Sequence, residues 1–171
     1  MSDGSDIRLH LLWATELLIS RVEGELRASS SLLANSEEKV RRIEEFICLV
    51  SSKLMGADPR KIRITARRRE SWTTMSNLRL CRGSAPWQAL MMLQRSHEDD
   101  EVPTLLVHDP RPAAEAVEAP GSPFGRPVVV PLAIGAVVAM PGWLEWSIRP
   151  LLPGSTCDVL RFDLSVATER A

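Results

Sequence analysis

The sequence predicts a mostly β domain with helical material at its N-terminal end, on three observations. From residue 61 onward it breaks into short runs of strand-forming residues, separated by turns such as Gly83-Ser84-Ala85-Pro86, Pro141-Gly142 and Pro153-Gly154-Ser155. Before that point one segment carries a helical repeat of apolar residues. The third observation is size: 171 residues with 44% hydrophobic content build one ordinary core. Many short strands at this spacing indicate a sandwich or barrel. Residues 1–171 therefore read as a single α+β domain, with residues 1–60 packing on a β core of residues 61–167.

The elements follow in order. Residues 7–13 suit a strand, whereas residues 16–27 read equally as a strand or as the start of a helix. Asn35 is placed to cap a helix, with Glu38 three residues on, and Val40, Ile43, Phe46, Ile47, Val50 and Leu54 then recur at helical spacing. Gly56 ends that helix and Pro59 lies beyond. Its other face carries Glu37, Lys39, Arg41, Arg42 and Glu45, so the apolar face is expected to lie on a sheet. Strands are expected at 61–66, 72–80, 88–94, 104–107, 127–130, 136–140, 144–150 and 159–167. The stretch 110–127 is the one long loop, a length often used for lids and ligand loops.

Composition excludes several classes. A net charge of −1 removes any whole-chain argument for nucleic-acid binding. Residues 60–82 do hold eight basic side chains against Glu70 alone, but Arg67-Arg68-Arg69 has only Trp72 as an aromatic companion and reads as a solvated turn. The longest apolar stretch, 128–140, is interrupted by Pro131 and Gly135 and is too short to span a bilayer. Cys48, Cys81 and Cys157 are odd in number and widely spaced, which implies neither a disulfide framework nor a zinc site. The N-terminus is acidic and polar where a secretory signal is basic and then apolar. The expectation is a cytoplasmic protein with no membrane and no nucleic-acid partner. Only three histidines, against five tryptophans and no tyrosine, limit the metal sites that can be built.

Three stretches carry a resemblance. They are His108-Asp109-Pro110-Arg111, the run from Ile134 through Pro141-Gly142-Trp143-Leu144-Glu145-Trp146 to Pro150, and Val159-Leu160-Arg161-Phe162-Asp163-Leu164. Together they resemble the C-terminal half of the iron(II)/2-oxoglutarate oxygenases related to prolyl 4-hydroxylases. That family shows a strand ending in Asp-Pro-Arg, a Pro-Ser-Trp-Leu-x-His turn, and a closing Arg-Ile-Ser-x-Ser-Phe-Asn-Leu strand. The resemblance covers residues 104–166, and before that only residues 72–93 can be laid on the family's metal-binding strand. It implies a double-stranded β-helix, or jelly roll, backed by helices.

The same resemblance implies that the iron ligands are gone. The family holds iron with two histidines and a carboxylate. The distal histidine falls at Trp146, whose indole offers an N–H and no lone pair. The first ligands fall near Leu80 and Arg82, and the arginine that grips 2-oxoglutarate falls near Cys157 or Asp158, with Arg161 close by as a substitute. What remains is a cavity expected to be walled by Leu80, Cys81, Trp87, Met91, Leu93, Trp143 and Cys157 around Trp146. The leading expectation is a redox-inactive, metal-independent relative with no cofactor. Its pocket would bind a small, largely apolar metabolite and convert it as a cyclase or isomerase does, with Trp146 N–H or Arg82 stabilising developing negative charge. A structural alternative is that the indoles simply fill the space. Two other functions stay open: a non-catalytic interaction subunit, pairing with a partner enzyme or as a homodimer, and an iron enzyme using His97, Asp99 and His108. His97-Glu98-Asp99 does match His-x-Asp, yet His108 follows only 11 residues after His97. His10, in an apolar segment, reads as a core histidine or as a general acid or base.

Overall fold

A computed structural model describes residues 8–12, 15–22, 37–73, 79–95, 102–108, 127–149 and 153–167. Two strands open the chain, β1 (Arg8–Leu12) and β2 (Thr15–Arg21). They pair antiparallel, so residues 16–21 of the stretch that read as strand or helix are strand, and residues 23–27 lie outside the described residues. Helix α1 (Glu37–Met55) follows, and Gly56 at φ 60° stops it in the left-handed conformation that glycine adopts without cost. Asp58 then caps a single 3-10 turn, Pro59–Lys61, by accepting the Arg60 amide at 2.9 Å.

The remaining strands are β3 (Ile62–Thr73), β4 (Trp87–Arg95), β5 (Thr104–Val107), β6 (Val128–Pro131), β7 (Ala136–Pro141), β8 (Trp146–Arg149) and β9 (Thr156–Val166). They form a six-stranded sheet, ordered β1-β2-β7-β4-β9-β3, and a three-stranded sheet, ordered β6-β5-β8. Cys81 joins the smaller sheet by pairing with Trp146 across a single antiparallel bridge. Along the sequence the chain passes from β3 in the large sheet to Cys81 in the small one and back to β4. It then runs through β5 and β6 in the small sheet, β7 in the large, β8 in the small and β9 in the large. That alternation is a jelly roll, as expected, with the β1–β2 hairpin extending the large sheet beyond β7.

One expectation changes in kind. Two strands were expected at 61–66 and 72–80 with a turn at Arg67-Arg68-Arg69, but β3 runs unbroken through the arginines, paired with β9 from Ile62 to Thr73. Three successive charges are tolerated because alternation sends them to opposite faces, each toward an acid: Arg67 to Glu44, Arg68 to Asp163 and Arg69 to Asp158.

The large sheet buries both faces. On the outer face Ile43, Ile47, Val50 and Leu54 of α1 lie on Ala89, Met91, Val137, Phe162 and Leu164. Ala89 and Ala139 are register partners, and their small side chains keep this part of the face flat under the helix. On the inner face Trp72, Leu90, Met92, Val138, Met140 and Val159 meet Leu105, Val107, Val130 and Ile148 of the small sheet. No helix among the described residues is long and apolar enough to cross a membrane.

Candidate functional site

The inner face ends at the crossing of two segments, 81–86 and 141–146. Cys81 and Trp146 exchange main-chain hydrogen bonds of 2.8 and 2.9 Å, the Gly83 amide donates to the Gly142 carbonyl at 2.8 Å, and the Gly142 amide donates to the Pro86 carbonyl at 2.8 Å. The backbones meet so closely that a Cβ on Gly142 would lie 1.8 Å from the Ala85 carbonyl oxygen, so only glycine fits there. This crossing brings the first residue of β8 into the barrel. Trp146 is 0% exposed, its ring leans on Trp72 with centroids 5.6 Å apart, and its Nε1–H donates to Gln88 Oε1 at 3.0 Å. The Gln88 amide in turn donates to the Leu144 carbonyl at 3.2 Å and to the Pro141 carbonyl at 3.4 Å. The indole is therefore held at both its face and its N–H.

Beside the indoles the inner face turns charged. Alternation along β9 points Arg161 and Asp163 inward, and β3 contributes Glu70. The Arg161 guanidinium, 7% exposed, donates to the Arg82 carbonyl at 2.7 Å and to Glu70 and Asp163 at 3.4 Å each. Ser84 donates to Asp163 at 2.8 Å, and Arg79 pairs with Glu70 at 3.4 Å while lying 5.3 Å from the centre of the Trp72 ring. The network ties the 82–84 segment to β9 and β3.

The structure groups some of the residues expected at the site and separates others. Trp146, Cys81 and Cys157 share the inner core. Arg161 is buried near them but already engaged by protein groups, so it is not a free grip for a cosubstrate. Trp87 and Met91 lie on the outer face with α1, because Gln88, Leu90 and Met92 take the inward positions of β4. Leu93 is buried at the point where the β4–β9 register shifts. Leu80, 56% exposed, and Arg82 both point to solvent, since the inward side chain of that segment is Cys81 between them. Arg82 contributes its carbonyl, not a buried charge. Trp143 is 44% exposed. Gln88, Trp72 and Glu70 were not anticipated. A lone amide inside the apolar run Trp87-Gln88-Ala89-Leu90-Met91-Met92-Leu93 is the signal that could have found Gln88.

The thiols are quiet. Burial, with the negative charge of Asp158, pushes the Cys157 thiol up to about 12, and burial with Glu70 raises that of Cys81. Both stay protonated near neutral pH and pack as small apolar groups. His108, at the end of β5, has Nε2 3.1 Å from Ser147 Oγ. His97 and Asp99 lie outside the described residues, and so does the side chain of His10.

These residues do not fit an iron(II) ion at the position the sequence resemblance gives it. A facial triad needs two imidazole nitrogens and a carboxylate oxygen around one point. Trp146 presents an N–H that Gln88 already accepts, Leu80 and Arg82 face outward, and the neighbouring carboxylates hold Arg161 and Arg79. Among the described residues no three His, Cys, Asp or Glu side chains stand where they could share a metal ion.

Fold and site together define the class as a jelly roll whose inner end is closed by protein side chains. No protein-family model matches the chain, and no curated protein matches it. Among solved structures the chain is similar to an oxidoreductase of the 2OG-Fe(II) oxygenase family from Burkholderia pseudomallei, at 13% identity over 98% of this chain and 77% of that one, with a TM-score of 0.45. It is also similar to the non-heme α-ketoglutarate-dependent epimerase SnoN of nogalamycin biosynthesis, at 12% identity, 96% and 69% coverage, and a TM-score of 0.43. The carbocyclase SnoK of the same biosynthesis gives 13% identity, 95% and 71% coverage, and 0.42.

Proposed function

We propose that this jelly roll is metal-independent and redox-inactive, and that it works as a non-catalytic interaction subunit. The observation that carries this reading is Trp146, fully buried, packed at a tilt against Trp72 and bonded to Gln88 where an oxygenase of this architecture would present an iron ligand. With that space filled, the groups left for recognition are on the rim. Trp143 and Leu80 are exposed on the two segments that the Cys81–Trp146 and Gly83–Gly142 bonds hold side by side, and Arg79 and Arg82 are exposed on the same ribbon. Tryptophan and arginine are the residue types that anchor protein contacts. The test is anaerobic titration with iron(II) and 2-oxoglutarate. The expected result is no retained iron, no succinate on exposure to oxygen and no shift in Tm. One iron per chain, or succinate formed in step with turnover, refutes the reading.

A second reading has one observation in its favour. Trp72 Nε1–H and Arg161 Nε–H are buried donors with no partner among the described residues. Two such donors in one interior suit a small, largely apolar metabolite bearing an acceptor oxygen, which a metal-free cyclase or isomerase would fold into a reactive shape. Saturable uptake of a small apolar ligand by the wild-type protein, with a rise in Tm, favours this reading over the first.

A further inference from the structure

On the opposite side of the large sheet from Trp146, a groove of about 610 Å³ runs between α1 and the start of β3. We propose that it binds a small organic carboxylate with an apolar body: the guanidinium groups of Arg60 and Arg63 take the carboxylate, and Leu49, Pro59 and Ile64 take the body.

Charge identifies the polar end. Arg41 on the groove wall is bonded to Glu38 at 2.8 and 2.9 Å and lies in the field of Glu45, while Glu44 accepts from Arg67 at 3.0 Å. The side chains of Arg60 and Arg63 have no carboxylate partner among the described residues. Against them the lining leaves Glu45 alone, so the groove keeps an excess of one positive charge. Two guanidinium forks with no internal partner suit a carboxylate, which accepts hydrogen bonds at both oxygens.

Apolar exposure identifies the other end. Leu49, 48% exposed, is the one exposed large apolar side chain of α1, and it lines the groove together with Pro59, Ile64 and Cys48. The platform under Arg60 is already ordered. Asp58 caps the turn through the Arg60 amide, the Lys61 amide donates to the Asp58 carbonyl at 2.9 Å, and the Ala167 amide donates to the Lys61 carbonyl at 2.7 Å. Little backbone ordering is therefore required on binding. The volume falls in the range of small-molecule sites, and the groove is open to solvent along its length.

Cys48 makes occupancy measurable, because it lines the groove and is the only one of the three cysteines that is not buried. The experiment follows N-ethylmaleimide modification of Cys48 by peptide mass mapping in the intact protein, with decanoate below its micellar concentration as probe. Decanoate should slow the modification saturably, and decanol should do so about tenfold more weakly, the factor expected from losing one charge-assisted hydrogen bond. Arg60→Ala with Arg63→Ala should weaken decanoate protection by about tenfold or more. Leu49→Glu should weaken it as well, and circular dichroism should show both variants folded. Equal protection by decanol, or unchanged protection in the double variant, overturns the proposal. So does the absence of decanoate protection where an acidic peptide or anionic phosphatidylglycerol vesicles do protect, which would assign the groove to a macromolecule or a membrane surface.

Discussion

The two faces of the six-stranded sheet are buried by different means. The outer face lies under α1 and is apolar wherever the helix covers it, and its charges stand at the margin, as Arg67 does with Glu44. The inner face is apolar along β7, but β3, β4 and β9 place Glu70, Gln88, Arg161 and Asp163 inside. The difference follows from what closes each side. A helix satisfies its own backbone, so apolar periodicity is enough beneath it. The barrel end is closed by two irregular segments, 81–86 and 141–146, whose carbonyls and indole N–H need partners away from water. Gln88 serves Trp146, Pro141 and Leu144, and Arg161 serves Arg82. The polar residues of the inner face are thus the hydrogen-bonding counterpart of its irregular cover.

Substitutions at the two faces should separate these mechanisms. The largest effect is expected for Trp146→Ala, which removes the buried, bonded indole and should cost roughly 3–5 kcal/mol in denaturant unfolding. Added indole should bind the vacated space and restore part of the loss. Arg161→Met should cost about 2 kcal/mol, because it leaves Glu70 with Arg79 alone, Asp163 with only Arg68 and Ser84, and the Arg82 carbonyl without its donor. An effect of a few tenths there would mean that the network is solvated and that the faces differ less than their composition does.

A third test uses pH. Burial alone would raise the Asp158 carboxyl, but hydrogen bonds from Ser71 and Arg69, the charge of Arg69 and a bond from Gln94 outweigh it and hold the carboxyl below its usual range. A carboxyl lowered in the folded state contributes stability above its unfolded value, near about 3.9, and loses it as pH falls through the folded value. Asp158→Asn should therefore be about 1–2 kcal/mol less stable than wild type at neutral pH, and the gap should narrow as pH falls below about 4. The smallest effect belongs to the outer margin. Glu44→Gln should change stability by less than about 0.5 kcal/mol, and the change should fade at high salt.

Much of the outer half was legible in the sequence. The spacing of Ile43, Ile47, Val50 and Leu54 announces α1, and Gly56 marks its end. Turn dipeptides delimit most strands to within a few residues, which gives the fold class. The facing of β4 was not legible. A period of two puts Trp87 and Met91 on one side and Gln88, Leu90 and Met92 on the other, but it does not say which side is inward, and a shift of one residue exchanges them. The course of β3 through Arg67-Arg68-Arg69 was hidden for another reason: two of the three acids that receive those arginines, Asp158 and Asp163, lie about ninety residues further on. Trp146 drew attention only through the family resemblance. That it is bonded to Gln88 and packed against Trp72 depends on a crossing that glycine at 142 permits and that no local pattern announces.

Hydrogen exchange of the five indole N–H groups, followed by NMR, tests the closed interior most directly. Bonded to Gln88 and fully buried, the Trp146 Nε1–H should exchange only through global unfolding, while that of the exposed Trp143 exchanges freely. Exchange at Trp146 as fast as at Trp143 would show an interior open to solvent and would contradict the closed packing around Trp146.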